Sequence, residues 1–486
     1  MILEEAYGVD ESKVGVVDHR HPTSARRQAL AGRHEMTPPP VIIGAGPAGI
    51  RAAATLVEAG LRPILLDEAP QCGGQIYRQP PSGFSRSPET LYGFEAQKAS
   101  ALHNTIAKLQ DRIDYRPNTL VWGCEAGMLD LVTAGKAARL PYDRLILATG
   151  ATDRVLPFPG WLTPGVFTLG GAQVALKFQG CSVGGQTVFL GTGPLLYLVA
   201  YQYLKAGAGV AAVLDTTPFI FQAKAAAAMA AADPVSFAKG LYYLATLRNH
   251  GVLMRHGVRP VGAIGRSRVQ GLDWQVNGKQ HQTSCDAIAF GLGLRSETQL
   301  ADLAGCRFRF DSLNRAWLPD CDKTGRSSVH GVYLAGDGCG IKGADAAALA
   351  GERAALALIE DTGQAFAKGH TAKIDRKLAK IDTFRKALES AFPFPEDWAS
   401  GLDQTITVCR CEGVQVGQLW SESGRDLNRV KSQTRLGMGR CQGRMCATAA
   451  AEVLAISRGV DVSDVGRLRG QAPIKPLPFA AAETGS

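Results

Sequence analysis

The sequence predicts an α/β protein built from two doubly wound dinucleotide-binding domains, followed by a small, mostly helical domain. Three observations predict it. Two strand–glycine turn–helix–strand units start 147 residues apart, at Gly44 and Gly191. An apolar strand ending in Gly336-Asp337 returns late in the chain. Four of the eleven cysteines then fall within 38 residues, from Cys409 to Cys446. Alternating strands and helices imply parallel sheets, and a repeat of this length is a duplicated fold rather than a solenoid.

Composition narrows the class. The 486 residues leave room for about three domains. Hydrophobic residues make up 45% and charged residues 20%, so there is apolar material for sizeable cores. No apolar run approaches the roughly 20 residues of a membrane helix. The N-terminal stretch lacks a signal-peptide core, and a cytoplasmic location is expected. There, eleven cysteines argue for metal ligation or catalysis over structural disulfides. The formal charge is +9, but Lys and Arg are scattered and not interleaved with aromatics. An anionic cofactor or acidic partner fits that balance, and nucleic acid is not expected.

Residues 1–35 are polar and aperiodic, and residues 1–38 are read as a poorly ordered extension, with Met36 just before the fold. Pro38-Pro39-Pro40 leads into a strand, Val41-Ile42-Ile43, at whose entry proline is tolerated. Residues 50–60 read as an Ala-rich helix closed by Gly60. Residues 64–66 form the second strand, and residues 144–150 another that ends in Gly150. The second unit runs as strand 187–190, helix 195–206 and strand 210–214, with a further helix over 223–232. A last strand covers 329–335, and a helix follows from Ala344 to about Asp361. Residues 372–391 read as an exposed charged helix, and Phe392-Pro393-Phe394-Pro395 as a boundary. The expected domains are 39–155 with 286–365, then 156–285, a helical linker 366–400, the cysteine domain 401–470 and a tail 471–486.

The first turn, Gly44-Ala45-Gly46-Pro47-Ala48-Gly49, fits the dinucleotide fingerprint. Gly44 permits the tight turn, Gly46 lets a pyrophosphate approach the backbone, and Gly49 lets helix and strand pack closely. The helix N-terminus then offers unpaired N–H groups to the phosphates. Asp67 and Glu68 end the next strand; Asp67 has the spacing at which ribose hydroxyls need an acceptor, and Glu68 is its close competitor. Gly73-Gly74-Gln75 allows backbone contact with a second part of the same cofactor. Gly336-Asp337 delivers a carboxylate that suits the ribityl hydroxyls of a flavin, or caps the following helix.

This combination resembles the flavoproteins with two dinucleotide-binding, Rossmann-like domains, the class of the disulfide reductases and the α subunit of sarcosine oxidase. The resemblance covers roughly residues 40–363. It implies that Gly44, Gly46, Gly49, Glu68 or Asp67, Gly74, Gln75 and Asp337 line an FAD site. It also matches Ala148-Thr149-Gly150 to the crossover into the second fold. The chain has no Cys-x-x-Cys in 150–290 and no Cys-x4-Cys after the first loop, so the dithiol of the disulfide reductases is not expected.

The second turn, Gly191-Thr192-Gly193, keeps two of the three glycines and has Leu196 at the third position. Asp215, 24 residues beyond Gly191, ends the following strand and stands where a carboxylate reads ribose and favours NAD. A functional NAD or other nucleotide site and a retained fold whose pocket has become an interface both fit.

Cys409-Arg-Cys411 and Cys441-x4-Cys446 offer four soft thiolates in two pairs, which suit an iron–sulfur cluster or zinc. Flanking glycines can turn N–H groups toward sulfide. Arg410, Arg440 and Arg444 supply compensating charge. Zinc favours Cys-x2–4-Cys, and the single intervening residue of Cys409-Arg-Cys411 fits a 2Fe–2S cluster better. The spacing resembles the bacterioferritin-associated-ferredoxin-like domain, with Cys-x4-Cys in place of its usual Cys-x-x-Cys. The whole order resembles the α subunits of bacterial opine oxidases and hydroxyproline dehydrogenases, and one component of hydrogen cyanide synthase. Gly73-Gly74-Gln75-Ile76-Tyr77-Arg78 and Gly437 to Cys446 carry the match. It implies a heteromeric amine dehydrogenase acting on an opine- or hydroxyproline-like amine or imino acid. Its expected partners are a β subunit flavoprotein of the D-amino-acid-oxidase type and a small ferredoxin-like γ subunit. A self-contained NAD(P)H-dependent FAD/iron–sulfur reductase is the rival reading. No catalytic acid–base pair is legible, and the nine histidines are dispersed.

Overall fold

The computed structural model describes residues 38–478, apart from 82, 85, 126, 364–367, 423 and 425. The expectation for residues 1–38 therefore lies, but for Pro38, outside the described residues.

The chain begins with β1 (Val41–Ile43), helix α1 (Pro47–Glu58) and β2 (Ile64–Leu66), then adds β3 (Asp114–Arg116) and β4 (Leu145–Leu147). It leaves for a second unit of β5 (Val166–Thr168), β6 (Gln186–Thr192), α2 (Pro194–Lys205), β7 (Gly209–Asp215), α3 (Phe219–Ala232), β8 (Leu253–His256) and β9 (Ala287–Leu292). It returns as β10 (Val332–Leu334) and α4 (Ala344–Asp361). The first sheet has the order β10-β4-β1-β2-β3 and the second β8-β7-β6-β9-β5, each parallel throughout. These are the two doubly wound sheets that the glycine turns predict. Fully buried parallel strands read as continuous Val, Ile and Leu runs, and β1, β2 and β4 have no exposed residue.

Helix α1 starts at Pro47, three residues before the expected Ile50. Proline is favoured at the first helical position, where its missing N–H is no loss. Helix α1 packs on α4 through small residues. A Cβ on Gly351 would lie 2.0 Å from the Ala48 carbonyl oxygen.

The C-terminal stretch follows α5 (Lys368–Ala391) with β11 (Thr407–Cys409), β12 (Val414–Gln415) and, after two short helices, α6 (Ala447–Arg458). One continuous core joins Val188, Leu214 and Phe290 of the second sheet, through Phe158 and Trp161, to Val408, Leu419 and Leu454. Two indole N–H groups stitch the same boundary. Trp161 donates to Thr407 O at 2.8 Å and Trp398 to Pro157 O at 3.0 Å. The cysteine-bearing end thus shares its core with the second fold. Among the described residues no helix is long and apolar enough to cross a membrane.

Candidate flavin site and cysteine cluster

The first glycine turn is held by contacts that leave no room for side chains. Gly44 has φ +107°, and a Cβ there would meet the Ala148 carbonyl oxygen at 2.3 Å. A Cβ on Gly49 would stand 1.8 Å from Gly44 O. Gly46 differs. The nearest atom to its ideal Cβ is Gly74 Cα at 3.6 Å, and its φ of −85° suits any residue. Its glycine identity is not demanded by the protein's own packing. It caps α1 without a side-chain partner, ahead of Pro47 and Ala48, so no side chain of the cap satisfies the first N–H groups of the helix.

The two acidic candidates separate. Asp67 turns inward, accepting from Ala45 N at 2.5 Å and from Ala69 N at 2.7 Å. Burial raises its pKa, and those two N–H groups oppose the rise. Glu68 is half-exposed and pairs with Lys475 of the C-terminal tail. Gly73 N donates to Ala45 O at 2.8 Å, which lays the Gly73-Gly74 turn against the first one. Gln75 is exposed and accepts from Arg78 at 2.9 Å.

From the far side, β10 presents Gly336 against Ala48, with 2.9 Å between an added Cβ and Ala48 Cβ. Asp337 Oδ1 accepts from Lys342 N at 2.8 Å and Gly343 N at 3.1 Å, shaping the entry to α4. Burial raises its pKa. The Thr149-Gly150 crossover is fixed from one residue. Thr149 Oγ1 donates to Glu297 O at 2.6 Å, and Glu297 N donates to Gly150 O at 2.9 Å. A cavity of about 750 Å3 opens between the two folds beside these turns, lined by Ile76, Tyr77, Lys177, Gly343, Ala344 and Phe384. Lys177 is almost fully buried there, and burial pulls its pKa down to about 8. Its ammonium donates to Ile76 O at 2.9 Å.

The second turn departs from expectation at its acid. Gly191 has φ +139°, and a Cβ there would lie 1.8 Å from Gly291 O, while a Cβ on Gly193 would meet nothing within 4 Å. Leu196 is fully buried in the core of the second fold. Asp215, however, has no exposed surface. Its carboxylate accepts from Tyr197 Oη at 2.5 Å, Gln222 Nε2 at 2.8 Å and Thr217 N at 2.8 Å. Burial pushes its pKa up to about 6. The expected ribose reader is instead the hub that ties α2 and α3 to the end of β7.

The four C-terminal cysteines meet, but not as sequence neighbours. Cys409 faces Cys446, and Cys411 faces Cys441. The Cys446 thiol and the backbone N–H groups of Gly437, Glu412 and Cys411 hold the pKa of the Cys409 thiol down to about 6. Gly439 is required here, since a Cβ would come within 2.5 Å of Cys411 Cβ. Among the described residues no group of three or more His, Cys, Asp and Glu side chains is arranged around a single metal ion.

A buried network links this loop to the flavin fold. Arg444 Nε donates to Glu297 at 2.7 Å, Arg295 Nη1 to Arg444 O at 2.9 Å, and Gln299 Nε2 to Gln442 O at 2.6 Å. Glu297, Arg295, Lys177 and Gly351 carry no motif, and sequence reasoning missed them. The alternation of small residues along α4 is the one signal that could have flagged Gly351.

Two glycine-turn folds completed by a Gly-Asp strand define a flavin oxidoreductase framework. The chain belongs to the pyridine nucleotide-disulphide oxidoreductase family, which matches residues 39–351, and it is an FAD-dependent oxidoreductase. Residues 414–486 match the sarcosine oxidase A3 domain. An opine oxidase subunit from Agrobacterium tumefaciens is 34% identical over 90% of each chain. Hydrogen cyanide synthase subunit HcnB of Pseudomonas protegens is 34% identical over 91% of this chain and 97% of its own. The crystal structure of L-proline dehydrogenase from P. horikoshii shares the fold, with a TM-score of 0.65 at 20% identity, covering 92% of this chain and 79% of that one.

Proposed function

We propose that this chain is the electron-relay subunit of a heteromeric dehydrogenase acting on an opine- or hydroxyproline-like amine, with FAD in the first fold and a 2Fe–2S cluster on Cys409, Cys411, Cys441 and Cys446. One observation carries the reading. The four thiols gather as two pairs, and the loop that bears them is tied through Arg444 and Glu297 to the Thr149-Gly150 turn of the first fold.

The residues fit both groups. Gly46, Pro47 and Ala48 present the uncapped start of α1 to a pyrophosphate. Glu68 is the acid left for ribose hydroxyls, because Asp67 spends both oxygens on the turn itself. Gly74 and Gln75 line the approach from one side, and Gly336 and Asp337 from the other. Two pairs of thiolates match the two irons of such a cluster. Gly437 and Glu412 N–H groups stabilise charge on the Cys409 sulfur. Flavin takes two electrons together and releases them singly, whereas such a cluster passes them one at a time. The chain's own part is to hold the two sites in fixed register and to exclude water between them. Relatives named as subunits support partner chains: a β subunit flavoprotein of the D-amino-acid-oxidase type that oxidises the C–N bond, and a small ferredoxin-like γ subunit.

The rival, a self-contained NAD(P)H reductase, needs Asp215 to meet a ribose. That carboxylate is sealed by Tyr197, Gln222 and Thr217. The test is Cys411→Ser in the full chain. Iron is lost while flavin stays bound, and NADH leaves the flavin oxidised in the unmodified chain. Unchanged iron would overturn the ligand assignment, and rapid flavin bleaching by NADH would favour the rival.

A further inference from the structure

One lysine of the second fold is buried where no carboxylate of the chain balances its charge. Lys177 lies in the last turn of the helix Leu169–Phe178 and is 2% exposed. A lysine in a last helical turn ordinarily meets the helix's own carbonyls or reaches out to water. Lys177 does neither. Its ammonium crosses to the first fold, donates to Ile76 O at 2.9 Å and stands 5.9 Å from the centre of the Tyr92 ring. That is one hydrogen bond for a group with three donors. Among the described residues no carboxylate pairs with it, and burial alone acts on its pKa. Lysine is almost never fully buried unless paired, because a desolvated charge without a counter-ion is costly.

Lys177, Ile76 and Tyr92 all line the cavity of about 750 Å3 between the two folds, a volume within the roughly 300–1,000 Å3 of small-molecule sites. Tyr77, Tyr243 and Phe384 give it aromatic walls, and the first turn of α4, from Gly343 to Ala346, lines it too. No side chain caps α4, so its first N–H groups add the positive end of a helix. The acids on the lining are already engaged. Glu95 pairs with Lys239, Asp345 with Lys98 and Glu352 with Arg51, while Asp233 accepts from Ser236. Lys377 and Lys380 of α5 also line the cavity, but both are exposed to solvent. One desolvated cation therefore remains, which matches one anionic group and not a polyphosphate.

We infer that this cavity binds a small organic monocarboxylate with an aromatic or apolar body, its carboxylate on the Lys177 ammonium and its body against Tyr77, Tyr243 and Phe384. A carboxylate on a buried ammonium is a charge-assisted hydrogen bond, about twice as strong as a neutral one. Tyrosine and phenylalanine faces supply the apolar contact that such a body needs. None of the glycines and acids assigned to FAD lines the cavity, so the inference stands apart from the flavin and cluster assignments.

The experiment titrates the full chain, as purified, with benzoate by calorimetry, recording flavin absorbance in parallel. Benzoate binds one per chain, and benzamide, its uncharged isostere, binds roughly tenfold more weakly or worse, the worth of one charged hydrogen bond. Lys177→Met weakens benzoate by the same factor. Ala348→Phe fills the cavity from α4 without altering a charge and abolishes binding, which keeps the test decisive should Lys177→Met fold poorly. No benzoate binding, equal binding of benzoate and benzamide, or benzoate binding unchanged in the variants would overturn the site. Phenyl phosphate binding more tightly than benzoate would overturn the carboxylate assignment. Benzoate that expels the flavin would give the cavity to the flavin and overturn its independence.

Discussion

Arg444 donates its Nε to the Glu297 carboxylate at 2.7 Å, and both side chains are nearly buried, at 13% and 12% exposure. Two charges removed together from water attract strongly, and each is costly to leave alone. The pair sits at a junction. Arg444 lies between Cys441 and Cys446, and the Glu297 backbone holds both Thr149 and Gly150. Glu297 therefore fixes the cysteine loop with its side chain and the flavin-fold crossover with its main chain.

Breaking that pair from one side should cost about 3 kcal/mol, the scale of an orphaned buried charge. Glu297→Gln and Arg444→Met should each lower the unfolding midpoint. The double variant should cost less than the two single costs added, because neither charge is then stranded. Denaturant titration of the four proteins measures it. Simple additivity would show that the ion pair does not couple the two segments.

Two glycines on or against α1 should behave oppositely. Gly46→Ala meets nothing closer than 3.6 Å, so the apoprotein should keep its stability while flavin occupancy falls. Gly351→Ala drives a methyl to 2.0 Å from Ala48 O, so the protein itself should lose about 1–3 kcal/mol by overpacking. Thermal melts of apo and flavin-loaded protein separate the two outcomes.

The acids Asp67 and Glu68 should also part company. Glu68→Gln should leave the fold intact and weaken flavin binding by roughly tenfold, the worth of one charged hydrogen bond. Asp67→Asn removes an acceptor from either Ala45 N or Ala69 N and should lower stability by about 1–3 kcal/mol. Flavin titration followed by fluorescence, paired with denaturant melts, checks both.

Lys177 makes a prediction in pH. Its folded pKa is pulled down to about 8 by burial, from 10.5. Between those values the unfolded chain holds a proton that the folded chain has lost, so this residue makes stability rise with pH across that window. Below pH 8 the buried charge carries its full cost. Lys177→Met removes that dependence. The unmodified protein should gain about 3 kcal/mol relative to the variant between pH 7 and pH 11. Parallel denaturant melts at the two pH values measure it, and a pH-independent difference would contradict it.

Local signals made much of the fold legible. Val41-Ile42-Ile43 and Ile64-Leu65-Leu66 are short apolar runs, and they form strands at those very residues. Gly44 and Gly49 are glycines for the steric reasons their spacing suggests. What escaped depends on distant contacts. Asp215 has the sequence position of a ribose reader, yet Tyr197 and Gln222 reach it from two helices and consume it. Cys409 and Cys411 are near neighbours in sequence, but each faces a thiol more than 29 residues on. Glu297 has no motif because its role is set by what packs on it from either side.

The most direct test is low-temperature paramagnetic resonance with iron analysis on the full chain, purified and reduced without oxygen. A flavin-bearing protein with about two irons per chain, and a one-electron signal that Cys411→Ser abolishes, is the predicted result. Flavin with no iron, or with zinc alone on the four cysteines, would contradict it.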